Sequence, residues 1–386
     1  MSTLIEGLFN GISIGSVLLI AALGLAIVFG LMGVINLAHG ELMMLGAYAT
    51  FVVQNIFKSF GEPWFDFYII VAIPVAFIIS AIMGLILERG AIRFLYGRPL
   101  ETLLATWGVS LILQQFVRSV NWLLFMAIGI FSLLFFGGLK LAKNRPDWVK
   151  IKNKALALIL ILASGIAIAF YSLLNKNTVL TKPWFSARNV DVTAPSWLRG
   201  GTTALGFQTP YVRLFIIALT VICLIAVYWF LQKSTWGLKI RAVTQNRTMS
   251  SCLGIPTDKV DALTFALGSG LAGIAGCAVS LLGSVGPNTG QNYIVDTFMV
   301  VVVGGVGNLL GTVLAAIGIG TLNYLIGSGT LALMLTNFSA PQFVIDLFLF
   351  FATSSMAKVM VFALIITFLQ IKPAGLFPQK GRTAEL

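Results

Sequence analysis

Three groups of polar residues stand where apolar sequence would otherwise continue. Asn36, His39 and Glu41 interrupt the first long apolar stretch, and Gln114, Gln115 and Arg118 close a short apolar window. Gln291, Asn292, Tyr293 and Asp296 follow the helix-breaking run Gly283-Ser284-Val285-Gly286-Pro287-Asn288-Thr289-Gly290. Most are amides and hydroxyls. They can exchange hydrogen bonds with a small polar solute without supplying a fixed counter-charge. Glu41, just after a helix start, reads either as a cap favoured by the helix dipole or as a pathway residue, because an ionisable group at membrane depth is a functional candidate by default. His39 reads as a proton relay or as a satisfied hydrogen-bonding group. Asp296, before the next apolar segment, is a capping candidate too. Lys358 would cost about 2.5–3.5 kcal/mol at a helix centre facing lipid, so it is expected to face protein or to snorkel.

The common catalytic motifs are missing, and nothing in the sequence argues for an enzyme. There is no GxxxxGK[ST] phosphate loop and no Gly-Lys dipeptide. There is no HExxH, and a single histidine cannot build a His-rich metal centre. Cys223, Cys252 and Cys277 form no CxxC pair, and no Gly-x-Ser-x-Gly elbow stands in a strand–turn–helix context. The expectation is a transport subunit with no cofactor, no metal and no ATPase site of its own.

These residues are positioned by membrane helices. Of 386 residues, 58% are hydrophobic and 10% charged, against about 25% charged in a soluble protein; lipid must cover much of the surface. A crossing needs roughly 20 apolar residues. The uncharged stretch from Gly7 to Gly40 divides into a helix over about 7–33 and, after a break at 36–40, a second over about 41–57. Further windows are 67–87, 102–117, 119–139, 155–175, 214–232 and 262–282. The 102–117 window is short and a re-entrant candidate. Two crossings are expected in 297–345, and a last helix over 347–371 interrupted by Lys358. The fold expected is an all-α polytopic transmembrane bundle of about ten or eleven crossings with broken or re-entrant segments. The 39 glycines, with Gly7, Gly11 and Gly15 four apart, suit close helix contacts in lipid. Residues 1–10 hold Glu6 and no Lys or Arg, which argues against a cleaved signal peptide.

The net charge of +12 sits between apolar segments and reads as membrane orientation rather than nucleic-acid binding. Basic loops at 88–101, 140–154 (with Arg145) and 233–261, and a basic tail with Lys372, Lys380 and Arg382, fall on one side if the N-terminus is outside and the C-terminus cytoplasmic. The 176–210 segment is then external.

The loop from Trp236 to Pro256 reads either as an ordinary basic loop or as a short helix lying along the membrane that presses into a partner. In it Arg241-Ala242 precedes Leu253-Gly254-Ile255, a pattern that resembles the coupling loop of permeases in the branched-chain amino acid (LIV-type) ABC importer family. Gly33 to Glu41 with Leu45-Gly46-Ala47-Tyr48 is similar to that family's N-terminal signature, and Lys372 to Phe377 to its usual ending. Leu103 to Leu111 and Gly290 to Leu309 resemble the family's urea permeases in particular. Segment 125–210 matches none of these motifs and is a candidate insertion with its own helices in a single permease domain, 1–386. No Glu precedes Gly254 at the place the importers' loop motif usually has one.

The resemblance implies half of a membrane pathway in the plasma membrane. The partners it implies are a second homologous permease, two separate ABC ATPase subunits and an extracytoplasmic binding protein. It assigns ATPase coupling to Trp236, Gly237, Arg241, Ala242, Asn246 and Gly254. The substrate pathway would use Asn36, His39, Glu41, Gln114, Gln115, Gln291, Asn292, Tyr293 and Asp296. Such amides suit neutral urea better than a zwitterion; a branched-chain amino acid is the alternative substrate. A passive amide or water channel would share the broken helices but would not need the 236–256 loop. An ion-coupled transporter would place acids mid-helix.

Overall fold

The computed structural model describes residues 2–143, 148–175, 178–185, 189–204, 207–337 and 341–377. Arg145, Lys380 and Arg382, expected on the cytoplasmic side, lie outside the described residues. The helices are α1 (Ser2–Met32), α2 (His39–Phe60), α3 (Tyr68–Gly90), α4 (Pro99–Ser119), α5 (Trp122–Lys143), α6 (Trp148–Leu174), the single turn α7 (Thr178–Thr181) and α8 (Tyr211–Lys233). They continue with α9 (Thr235–Gln245), α10 (Arg247–Cys252), α11 (Thr257–Leu282), α12 (Thr289–Gly304), α13 (Leu309–Gly327), α14 (Thr330–Asn337), α15 (Gln342–Phe350) and α16 (Ser354–Ile371). Strands β1 (Gly201–Ala204) and β2 (Phe207–Pro210) pair antiparallel, Thr202 opposite Thr209.

Among the described residues, eight helices are long and apolar enough to cross a membrane, or nine if α15 and α16 form one bent span. The protein is a polytopic helical membrane bundle. The windows at 41–57 and after 297 became α2, which is not among those eight, and the 16-residue α12. The 102–117 window is one continuous helix of 21 residues, because Pro99 to Glu101 and Arg118-Ser119 extend it at both ends. The last apolar region breaks at 351–353 rather than at Lys358, which lies within α16.

Two compact units make up the chain. The first comprises Met1–Leu111 and Asp191–Leu386, the second Ile112–Val190. In the second, α5 packs on α6. Asn121 accepts from Leu124 N at 2.6 Å, Trp184 N donates to Val120 O at 3.0 Å, and the Trp184 ring meets Trp122 edge-on.

In the first unit α1 and α11 are the buried helices. α1 is apolar on all faces, as an element surrounded by others must be. α11 is rich in Gly, Ala and Ser, which lets backbones approach in lipid without a hydrophobic drive. The packing is crosswise: α1 lies against α12 and α13, and α11 against α2 and α3. Each buried helix thus seats on the two helices that follow the other one's break.

Candidate functional site

The two breaks, 33–38 and 283–288, have equal length, and the helices that restart after them touch. α1 ends at Met32 with Gly33 at φ +69°, and α2 restarts at His39. α11 ends at Leu282, and α12 restarts at Thr289 with Thr289 Oγ1 accepting from Gly286 N at 2.8 Å. The first turns of α2 and α12 touch backbone to backbone at Gly40 and Gly290, where a Cβ on either residue would collide with the other's carbonyl. A helix start carries free amides and roughly half a positive charge. Two such starts are here pressed together.

Glu41 lies beside both helix starts. It is buried, its Oε1 accepts from Ser110 Oγ at 3.0 Å, and its Oε2 lies beside Gly290. Asn36 Oδ1 accepts from Ala38 N at 3.1 Å, and Thr106 Oγ1 accepts from Leu37 N at 3.2 Å. Helix α4 therefore braces the break through hydroxyls four residues apart. His39 Nε2 meets Ala21 O at 3.0 Å; a carbonyl partner requires the proton on Nε2. His39 Nδ1 and Asn36 Nδ2 are buried without a hydrogen-bond partner among the described residues. Such atoms are uncommon in folded proteins.

The expected pathway residues do not form one cluster. Asn36, His39 and Glu41 come together at the crossing. Gln291 and Asn292, in the first turn of α12, have exposed side chains. Gln114 and Gln115 belong to the second unit. Asp296 caps nothing: it sits mid-way along α12, where its Oδ2 accepts from Lys358 Nζ at 2.8 Å. Lys358 also donates to Asn292 O at 3.3 Å and lies 6.0 Å from the Tyr293 ring. It faces protein. Thr106 and Ser110 were not singled out in sequence, although their spacing with Thr102 already described a polar helix stripe.

The loop after α8 folds into two short helices. Ser234 caps α9 by accepting from Gly237 N at 2.9 Å, and Asn246 caps α10 by accepting from Met249 N at 2.9 Å. Ile240 and Val243 pack with Val260 of α11 and Leu31 of α1. Arg241 bonds Gln232, and Lys239 lies over Trp236 at 4.7 Å. Gly254 turns the chain back at φ +80°. Leu238, Met249 and Leu253 remain exposed. A charged chain, unseen in sequence, ties this loop to its neighbours: Arg247 pairs with Asp261 at 2.6 Å and Arg93 pairs with Asp258. The Arg247 guanidinium also lies over the Tyr96 ring at 5.0 Å, and the Tyr96 hydroxyl donates to Glu88 at 3.2 Å. Burial holds the Tyr96 phenol well above its ordinary pKa, so it stays a neutral donor. An acid in the first turn of α11 beside a basic loop was the available signal.

Enough helices for eight or nine crossings, a polar crossing of two interrupted helices and a docked loop of two short helices define a multi-pass membrane transport protein. The chain belongs to the family described as branched-chain amino acid transport system / permease component, whose model matches residues 7–369. It is similar to the high-affinity branched-chain amino acid transport system permease BraD of Pseudomonas aeruginosa, 24% identical over 82% of this chain and 84% of that protein. The corresponding LivH of Escherichia coli is 25% identical over 82% and 83%. A probable LivH of Methanocaldococcus jannaschii is 24% identical over 88% and 86%. No solved structure matches the chain. The protein is a permease component, not an enzyme.

Proposed function

We propose that this chain forms half of the transmembrane pathway of an ABC importer for branched-chain amino acids. The single observation that carries the mechanism is a continuous line of contacts. The α9–α10 loop is held to α11 by Ile240, Val243 and the Arg247–Asp261 pair, and α11 leads through the break at 283–288 to Gly290, which meets Gly40. Two ATPase subunits on separate chains close on ATP and push the loop. Trp236, Gly237, Arg241, Ala242, Asn246 and Gly254 form or support the pushed surface. The tilt of α11 parts the crossing, and Asn36, His39 and Glu41 face the solute as it passes. The N-terminus lies outside and the C-terminus inside. A second homologous permease completes the pathway, an extracytoplasmic binding protein docks over 176–210, and 125–210 is an insertion within one permease domain.

This substrate reading is supported by the relatives, which are named for branched-chain amino acids and matched over more than four-fifths of their length. A second reading, urea, is favoured by the neutral groups at the crossing: Asn36, Thr106 and Ser110 can bond an amide and offer a zwitterion little. Labelled uptake of leucine against urea in a strain lacking this chain decides between them. Loss of leucine uptake is the expected result; loss of urea uptake with leucine intact overturns it. Arg241→Ala and Gly254→Ala test the coupling loop, the latter straining a left-handed backbone by about 1–2 kcal/mol. Unchanged ATP-driven uptake and assembly in both would remove the loop from the mechanism.

A further inference from the structure

Asp296 and Lys358 play no part in the crossing, yet they pair across two apolar helices, α12 and α16. A buried ion pair is weak evidence of stability, because desolvation offsets the attraction and an apolar pair of similar volume often does as well. This pair borders a cavity of about 360 Å³, within the ~300–1,000 Å³ range usual for small-ligand sites. Asp296 is almost fully enclosed, whereas the Lys358 side chain keeps 38% of its exposure. Ile14 and Leu18 of α1 form an apolar wall, and Tyr293, Asn323, Tyr324 and Ser328 supply polar groups. The Tyr324 hydroxyl accepts from Asn10 at 2.9 Å, and Asn10 in turn accepts from Arg213. That leaves the phenolic proton of Tyr324 as a donor. In the proposed orientation the cavity lies toward the outer face, where α1 begins and α13 ends.

We propose that this cavity is a subsite for a zwitterionic amino acid with an apolar side chain, which binds by opening the Asp296–Lys358 pair. The inference rests on the importer reading above. The ligand's ammonium replaces Lys358 against the Asp296 carboxylate, and its carboxylate takes the released Lys358 ammonium. The number of charge pairs rises from one to two, so no charge is left unpaired in a poorly solvated place. The side chain lies on Ile14 and Leu18. A neutral amide cannot open the pair, since it repays neither charge. The subsite therefore discriminates by charge pattern.

The test uses the importer assembled with its own ATPase subunits and binding protein. If the intact importer moves no tritiated leucine, the amino-acid reading fails, and this subsite with it. Where leucine is imported, the double variant Asp296→Asn, Lys358→Gln removes both charges together. It should assemble with its ATPase subunits in normal amount and import leucine at least about tenfold more slowly, the scale expected from losing paired charges at a binding site. Undiminished leucine import by that variant overturns the subsite and leaves the importer standing. If the double variant fails to assemble, the reversed pair Asp296→Lys, Lys358→Asp retains an ion pair while turning a bound zwitterion end for end, away from Ile14 and Leu18. Slow leucine import then supports the subsite, and wild-type import marks a structural pair and overturns it. Equilibrium binding of tritiated leucine to the wild-type importer in nanodiscs adds a readout apart from transport. Unlabelled leucine should compete, and urea, leucinamide and isocaproate should not. Competition by leucinamide or isocaproate equal to leucine's would also overturn it.

Discussion

Glu41 is held by two kinds of neighbour, and they can be separated by mutation. Glu41→Gln keeps an acceptor for Ser110 but removes the charge beside two helix starts, which is worth about 0.3–2 kcal/mol. Ser110→Ala removes one hydrogen bond, worth about 0.5–1.5 kcal/mol. Both should lower the thermal midpoint of the purified protein in detergent, and the two effects should not add, because both groups share one contact. Gly290→Ala forces a methyl into the Gly40 carbonyl; overpacking of that kind costs about 1–3 kcal/mol and should lower the same midpoint. Of this site, the polar interruption itself was legible in the sequence. The partners were not. Nothing local to Glu41 says that a serine sixty-nine positions on would supply its hydroxyl, and Asp296 looked like a cap because its partner lies on α16.

At the scale of elements, the charged chain beside α9 and α10 gives an ordered prediction. Asp261 is buried and depends on Arg247, whereas Arg93 and Asp258 are both about half exposed. Arg247→Ala leaves a buried carboxylate with its main partner gone, a loss of about 1.5–3 kcal/mol. Arg93→Ala breaks a solvated pair and should cost under about 1 kcal/mol. If the loop transmits force, Arg247→Ala should also lower the amount of solute moved per ATP hydrolysed, measured in proteoliposomes, while Arg93→Ala should change that ratio little. The long apolar helices were legible, since the charge-free windows fall on α1, α2, α3, α4, α5, α6, α8 and α11. Their ends were less so. Trp148 to Lys154 joined α6 despite three lysines, and α4 grew past its apolar window, because helix geometry continues through polar residues once water or headgroups can solvate them. The turn at 351–353 has no proline or glycine to announce it.

At the scale of the molecule, crosswise packing sets an order of events. α1 is made well before α13, which receives its Gly11 and Gly15 face at Thr321 and Ala316 and begins only at Leu309. At ~5–20 residues per second, roughly a quarter of a minute to a minute passes before that helix exists. During this interval α1 must wait in lipid, which its all-round apolar surface permits, and its small-residue face stays open to foreign helices. A chain cut short before Leu309 should therefore be inserted but never sealed. Expressed as such, it should be cleared by membrane proteases severalfold faster than the full chain in a pulse-chase experiment. A later helix is thus what makes an earlier one permanent, and quality control can judge the molecule by whether α1 has found shelter.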